Sequence, residues 1–448
     1  MSEASDDEPP SLHALPRFEP AMRNLLQYLE FNDIKSLRQT CRRMKNFIDR
    51  TREVWTEDIS PLHLAARYDD VDMAVNSITH GFQLEQKITG RDGFPMQLFN
   101  RGTPLHVAAF YSANQVLRVL LDAGANKDAK STCYGTAIQI TIEVNNEEGF
   151  LLLMAADPRL KGTLLTCARL GRTQYAEYIL NSLKQLAQRE LDPRNVDSPL
   201  FVACQNGFYH LARLFIERGS PLVAGSQFMS ILGTYRTPLI AACENGHVSI
   251  AKLLMDSGVS PDPVAPTYTL STRDPASLTW RFKNSSPLFA AFKKEDTEMF
   301  NLLIARGAKI SLVPYAPLFH QGMLHAMLKE VRYFTNIGRG TDMIWTALRA
   351  RPIDINALDP EGDTVLHTLA KVFSINRFSS HHSHFLNLLD MLLQHGADKT
   401  LKNKEGKTPF DILFSSGGSY EHGVSDLQYS LKYTGFFHFL KTVYKMLL

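Results

Sequence analysis

The stretch TPLHVAAFYSANQVLRVLLDAGANKDAK, residues 103–130, constrains the fold more than any other part of the chain. Thr103 can cap a helix with its hydroxyl, and Pro104 at the first helical position gives up an N–H that would have no partner there. Leu105, Ala108 and Ala109 share a face at helical spacing. The two alanines are small, so a second helix can approach closely. That helix is 114–122, with Val116, Leu117, Leu120 and Leu121 as its apolar side. Gly124 sits where the chain must turn left-handed to leave it. So short a helix pair buries its apolar face only against a neighbour like itself, and one copy therefore predicts more.

More copies follow. Residues 60–81 read SPLHLAARYDDVDMAVNSITHG, 198–219 SPLFVACQNGFYHLARLFIERG, 237–258 TPLIAACENGHVSIAKLLMDSG and 286–308 SPLFAAFKKEDTEMFNLLIARGA. Residues 364–398 open TVLH and close LLQHGAD, and Thr408 opens a degenerate last copy. Weaker units start near Thr136, Gly162 and Gly322. Thr103 and Thr136 stand 33 residues apart. The pattern resembles the ankyrin repeat, which implies a mainly α solenoid of helix-turn-helix units with short hairpin loops, over roughly 59–448. Other spacings are longer, so insertions are expected near 82–102, 259–285 and 373–384. The first could be an extended β-finger. The second holds several prolines and isolated aromatics, and a loop of that length is either functional or disordered. The unit at Thr136 has lost its alanines to Thr141 and Ile142 and is expected to pack less regularly. Residues 332–350 fit no clean second helix. The C-terminal 430–448 carries apolar residues on broad helical faces and reads as a capping helix, with a membrane-surface helix as the other reading.

Ahead of the repeats, residues 1–12 are acidic and read as a disordered tail. Residues 13–52 then place Leu25, Leu26, Leu29, Ile34, Leu37, Cys41 and Met44 at helical spacing, interrupted at 30–33. The segment resembles an F-box. Leu15-Pro16 opens it, Leu25-Leu26 precedes Leu29, Asp33-Ile34 precedes Leu37, and Cys41-Arg42-Arg43 leads into the last helix. The gap from Leu15-Pro16 to Leu25 is about two residues longer than that family usually shows. The resemblance implies that Leu15, Pro16, Leu25, Leu26, Leu29, Ile34 and Leu37 dock a Skp1-type adaptor, and through it a cullin ubiquitin ligase. Spacing alone shows paired amphipathic helices, which could equally cap the first repeat.

Catalysis finds no support. There is no phosphate-cradling GxxxxGK[ST], no HExxH and no nucleophile elbow. Carboxylate pairs are expected only on solvated faces, and Gly338-Arg339-Gly340 is too short for a nucleotide loop. His382 and His384 could share a metal only if their segment were extended, with no Cys or acid nearby, so no metal and no cofactor is expected. His63, His106, His325 and His367 stand where the ankyrin resemblance implies bonds to backbone and capping hydroxyl. The five cysteines include no CxxC pair, which points to a reducing intracellular compartment, cytoplasmic or nuclear. The formal net charge of +2 gives no reason for bulk attraction to nucleic acid or membrane, and no apolar run has the length of a membrane span.

Binding remains. The resemblance maps a partner surface onto the ends of the first helices: Arg67, Tyr68, Phe110, Tyr111, Gln205, Asn206, Glu244, Asn245, Lys293 and Lys294. Phe110 and Tyr111 are adjacent and cannot both pack inward; they are interface anchors or rest on the 82–102 insertion. Tyr268 and Trp280 of the long loop are further anchors. Two functions follow: a substrate receptor of a ubiquitin ligase with an unknown protein target, or a scaffold with no ligase link.

Overall fold

The computed structural model describes residues 60–88, 102–132, 135–182, 198–222, 237–262, 286–310, 322–331, 336–350, 353–359, 361–375, 382–415, 442 and 445–446. The residues expected to dock an adaptor, Leu15 to Leu37, the acidic tail, most of the first two insertions including Tyr268 and Trp280, and His381 lie outside these. Every element among the described residues is helical. Among the described residues an isolated bridge joins Ser131 and Gly135. Contacts divide the chain into two compact units, residues 1–175 and 176–448.

Unit one holds α1 (Pro61–Tyr68), α2 (Val71–Thr79), α3 (Pro104–Tyr111), α4 (Asn114–Asp122), α5 (Ala137–Val144), α6 (Glu147–Ala155), α7 (Thr163–Leu170) and the start of α8 (Thr173–Ser182). The first helices of each pair stack in one layer, α1 on α3 on α5 on α7. The second helices form another, α2 on α4 on α6. Leu105, Ala108 and Ala109 of α3 and Val116, Leu117 and Leu120 of α4 are all buried, as their spacing requires. Gly124 leaves α4 at φ 85°. The unit opening at Thr136 is more regular than expected. Ile138, Ile140, Thr141 and Ile142 are buried, and Thr141 turns its hydroxyl back to the Ile138 carbonyl at 2.8 Å. A hydroxyl satisfied within its own helix takes the place of the missing alanine.

Unit two continues with α9 (Pro199–Asn206), α10 (Tyr209–Glu217), α11 (Pro238–Asn245), α12 (Val248–Asp256), α13 (Pro287–Lys293), α14 (Thr297–Ala305), α15 (Met323–Val331), α16 (Ile337–Ala350), α17 (Val365–Ile375), α18 (His382–Gln394) and α19 (Pro409–Ser415). The odd-numbered helices from α9 to α19 stack in one layer, the even-numbered ones from α10 to α18 in the other. Gly207 shows why one exit must be glycine: its φ is 83°, and a Cβ there would lie 2.6 Å from the His247 ring, whose Nε2 bonds to the Gln205 carbonyl at 3.2 Å.

Two expectations need correction. Residues 332–350 do contain a second helix, α16. Its buried face is Met343, Ile344, Ala347 and Leu348, and the glycines at 338 and 340 obscure its start in the sequence. The third insertion is also shorter than 373–384, because α17 runs to Ile375 and α18 starts at His382.

Helix ends are tied across repeats. Ala113, which caps α4, offers no side-chain acceptor, and Asp69 of the preceding repeat accepts the Val116 N–H instead at 2.9 Å. Glu295, at the equivalent left-handed position, accepts the Asn336 N–H ahead of α16 at 3.3 Å. At the C-terminus, Lys399 Nζ donates to the Met446 carbonyl at 3.2 Å.

Candidate protein-binding surface

The histidines of the first helices are structural. In α3, the Thr103 N–H donates to His106 Nδ1 at 3.1 Å, with Thr103 Oγ1 at 2.8 Å from the same nitrogen. Nε2 then reaches the carbonyls of Ala129 at 3.1 Å and Gly135 at 3.2 Å. A backbone N–H can only donate, so Nδ1 accepts and Nε2 carries the proton. His63 repeats the Nδ1 half of this with Ser60, and His367 the whole with Thr364 and the Lys407 carbonyl. Burial pushes His63 and His106 down to about 4 and lowers His325 as well. His325 lacks half the arrangement: Gly322 has no hydroxyl, and the buried Nδ1 has no hydrogen-bond partner. In α5, Gln139 does the work of the histidine, accepting from Thr136 N at 3.0 Å and donating to the Lys161 carbonyl at 3.3 Å.

Within each unit the ends of the first helices carry half-buried and exposed side chains, and in unit one the residues mapped there are not independent of one another. Phe110 and Tyr111 are half-buried and meet edge to face, centroids 5.2 Å apart. The Arg67 guanidinium lies 5.7 Å from the Tyr111 ring in the next repeat and 5.5 Å from Tyr68. This brings four of the mapped residues into one cluster. Further along unit one, Arg169 pairs with Glu143 across repeats at the same register position. Burial raises the Glu143 carboxyl, and Arg169 opposes that rise. In unit two, Gln205 and Glu244 are half-buried, while Asn206, Asn245, Lys293 and Lys294 are exposed. Asn245 turns back to the Ala241 carbonyl at 2.9 Å.

Carboxylates are not confined to solvated faces. Asp359 and Asp363 are buried, and with the exposed Glu361 their oxygens lie within 4.8 Å of one another. The turn explains it: Gly362 N–H closes on the Asp359 carbonyl at 2.8 Å, and Asp359 Oδ1 accepts from Glu361 N at 3.0 Å and Asp363 N at 2.9 Å. Lysines supply the positive charge. Lys371 Nζ sits 2.5 Å from Asp363 and 3.3 Å from Glu361, and Lys329 Nζ 3.5 Å from Asp359. Burial works against the Asp363 charge, but hydrogen bonds from Lys371 and from Asn403, at 2.9 Å, hold its carboxyl below the usual range. A lysine pinned between two of the carboxylates already fills the place of a cation. Cys167, Cys204 and Cys243 are free and buried. Burial pushes the Cys167 thiol up to about 12 and the other two higher, so all three behave as small apolar groups. No helix among the described residues is long and apolar enough to cross a membrane.

The ankyrin family models agree with this architecture. The F-box domain family matches residues 19–55. The ankyrin repeat family matches residues 100–132, and a set of ankyrin repeats in three copies matches 164–265. Both domain types are non-catalytic interaction domains. A transient receptor potential cation channel subfamily A member 1 homolog of Caenorhabditis elegans is 24% identical over 226 residues, which cover 44% of this chain and 18% of that relative. The chain thus spans under a fifth of that relative's length. Among solved structures, the human ASB11 ankyrin repeat domain aligns with a TM-score of 0.41 and 18% identity, over 56% of this chain and 99% of that one.

Proposed function

We propose that this chain, which carries an F-box domain ahead of ankyrin repeats, is an intracellular substrate receptor: its F-box docks a Skp1-type adaptor of a cullin ubiquitin ligase, and its array holds the protein to be modified. The observation that carries this reading is the co-occurrence of the F-box match at 19–55 with ankyrin matches from 100 to 265. One module addresses a ligase, the other a target. Leu15, Pro16, Leu25, Leu26, Leu29, Ile34 and Leu37 are the proposed adaptor contacts.

The proposed target contacts are the ends of the first helices, Arg67, Tyr68, Phe110 and Tyr111 in unit one and Gln205, Asn206, Glu244, Asn245, Lys293 and Lys294 in unit two, with Tyr268 and Trp280 from the 259–285 insertion. The Arg67, Tyr68, Phe110 and Tyr111 cluster is its strongest part, since aromatic and arginine side chains dominate interface energetics. A double dissociation tests both halves. Affinity purification of the wild type should recover adaptor and target together. Leu29→Asp with Leu37→Asp should lose the adaptor and keep the target. Phe110→Ala with Tyr111→Ala, or replacement of 261–282 by a Gly-Ser bridge, should do the reverse. Recovery of a target with no adaptor by the wild type would reduce the chain to a scaffold.

A further inference from the structure

His325 differs from the other capping histidines on both sides of its ring. Its Nε2 lies 3.1 Å from the Asp363 carbonyl, which ties α15 to the hairpin leading into α17. A carbonyl can only accept, so Nε2 carries the proton and Nδ1 presents a lone pair. At His106 and His367 that lone pair is taken by the backbone N–H of Thr103 or Thr364. A proton enters there only by breaking the cap. The buried Nδ1 of His325 has no hydrogen-bond partner among the described residues. Gly322 stands in the capping place. Its φ lies outside the left-handed region, so the backbone does not require glycine, and a Cβ there would stand 3.1 Å from Nδ1. What is missing is the hydroxyl alone.

The hairpin on the other side is acidic. Asp359, Glu361 and Asp363 are set against Lys329 and Lys371, three carboxylates to two ammonium groups, so a proton on His325 would balance the remaining charge. His367 of α17 acts with Lys371 on Asp363. Lys293 and Lys294 of α13 and Arg339, Asp342 and Arg349 of α16, helices that also pack on α15, are exposed. Burial lowers His325 below the ordinary imidazole value. The Asp363 carbonyl and the Asp359 and Asp363 carboxylates oppose that, and Lys329 adds to it. His63 and His106, held at about 4 by burial, have no carboxylate acting on their rings. The hairpin side of His325 thus admits a proton, while the cap side offers the new N–H no acceptor. A positive charge in the first turn of α15 also opposes the N-terminal end of the helix dipole.

We propose that His325 is a proton-operated release for the start of α15: as pH falls it takes a proton on Nδ1 ahead of His63 and His106, and the charge loosens the first turn of α15 while the stacked repeats stay folded. The folded value lies below the unfolded one, so the tie is complete above the ordinary imidazole value and weakens as pH falls. The test uses the full chain with Cε1-labelled histidine, followed by proton–carbon NMR across pH, with His325→Gln and His106→Gln to assign the two signals. His325 should titrate at a higher pH than His106. Gly322→Ser, which gives Nδ1 a hydroxyl, should move the His325 midpoint down and leave His106 in place. Lys329→Gln, which removes an opposing positive charge, should move it up. Hydrogen exchange at pH values on either side of the His325 midpoint should show protection of 322–331 falling by about threefold or more on acidification. His325→Gln, which has no ring to titrate, should show no such fall. A His325 signal that titrates with or below His106, a midpoint unmoved by Gly322→Ser, or equal protection of 322–331 at both pH values would overturn the inference.

Discussion

Acidification should loosen the array through its capping histidines, and His106 allows the effect to be isolated. Its Nδ1 accepts from a backbone N–H and its Nε2 lies against two carbonyls, so the folded state requires the neutral ring. Burial accordingly holds it at about 4, against about 6.5 for an unperturbed imidazole. The folded value lies below the unfolded one. The stabilisation is therefore complete above about pH 6.5 and is lost as pH falls toward 4. From about pH 7 to about pH 4.5, linkage removes about 2 kcal/mol for such a histidine. His63, also at about 4, should add a similar loss. The chain itself supplies a replacement that does not titrate, since Gln139 spans the same two kinds of partner in α5. His106→Gln should thus be close to neutral at about pH 7 and recover about 2 kcal/mol at about pH 4.5. Urea melts followed by helical circular dichroism at the two pH values measure this. If His106→Gln loses as much stability on acidification as the wild type, the neutral-ring argument is wrong.

Leu120 is fully buried between repeats, so Leu120→Ala should cost about 2–5 kcal/mol in urea melts; a loss under about 0.5 kcal/mol would mean that α4 does not face a neighbour. Asp69→Ala should cost about 1 kcal/mol or more by removing the cap from α4. Because the cap is lent by the neighbouring repeat, Ala113→Asp in the same chain should restore part of that loss. Lys371→Met strands the buried Asp363 carboxylate and should destabilise by about 1–3 kcal/mol, reduced from the fully buried case because the lysine is partly exposed. Adding Asp363→Asn should recover part of it, as thermal melts of the pair would show.

The repeat architecture was legible because it is written locally. Capping hydroxyl, proline, paired alanines and exit glycine each act within one helix pair, and the 114–122 span of α4 follows from them directly. What was hidden depends on the neighbouring repeat. Nothing in the sequence near Ala113 indicates that Asp69 caps α4. Nothing near Asp359 and Asp363 indicates that Lys329 and Lys371 let them be buried. α16 was missed because glycines open it, although its apolar face at 343, 344, 347 and 348 was available. The histidine at the fourth motif position was read correctly from its resemblance at His63, His106 and His367 but not at His325, whose repeat opens on Gly322 with no hydroxyl to meet Nδ1. Its substitution by Gln139 was not, although a side chain with one acceptor and one donor at that place is the signal that could have found it. Among the proposed target contacts, the motif located Arg67 and Tyr111 in sequence but not the cation–π contact that joins them between repeats.

The central claim is that one face of this chain addresses a ligase adaptor while the array remains free for another protein. Light scattering on a mixture of the purified full chain and a purified Skp1-type adaptor measures it most directly. The expected result is an equimolar complex with the wild type. Leu29→Asp with Leu37→Asp should form none while keeping the wild-type helical signal. A wild-type chain that stays monomeric beside the adaptor, or a double variant that still binds it, would contradict the account.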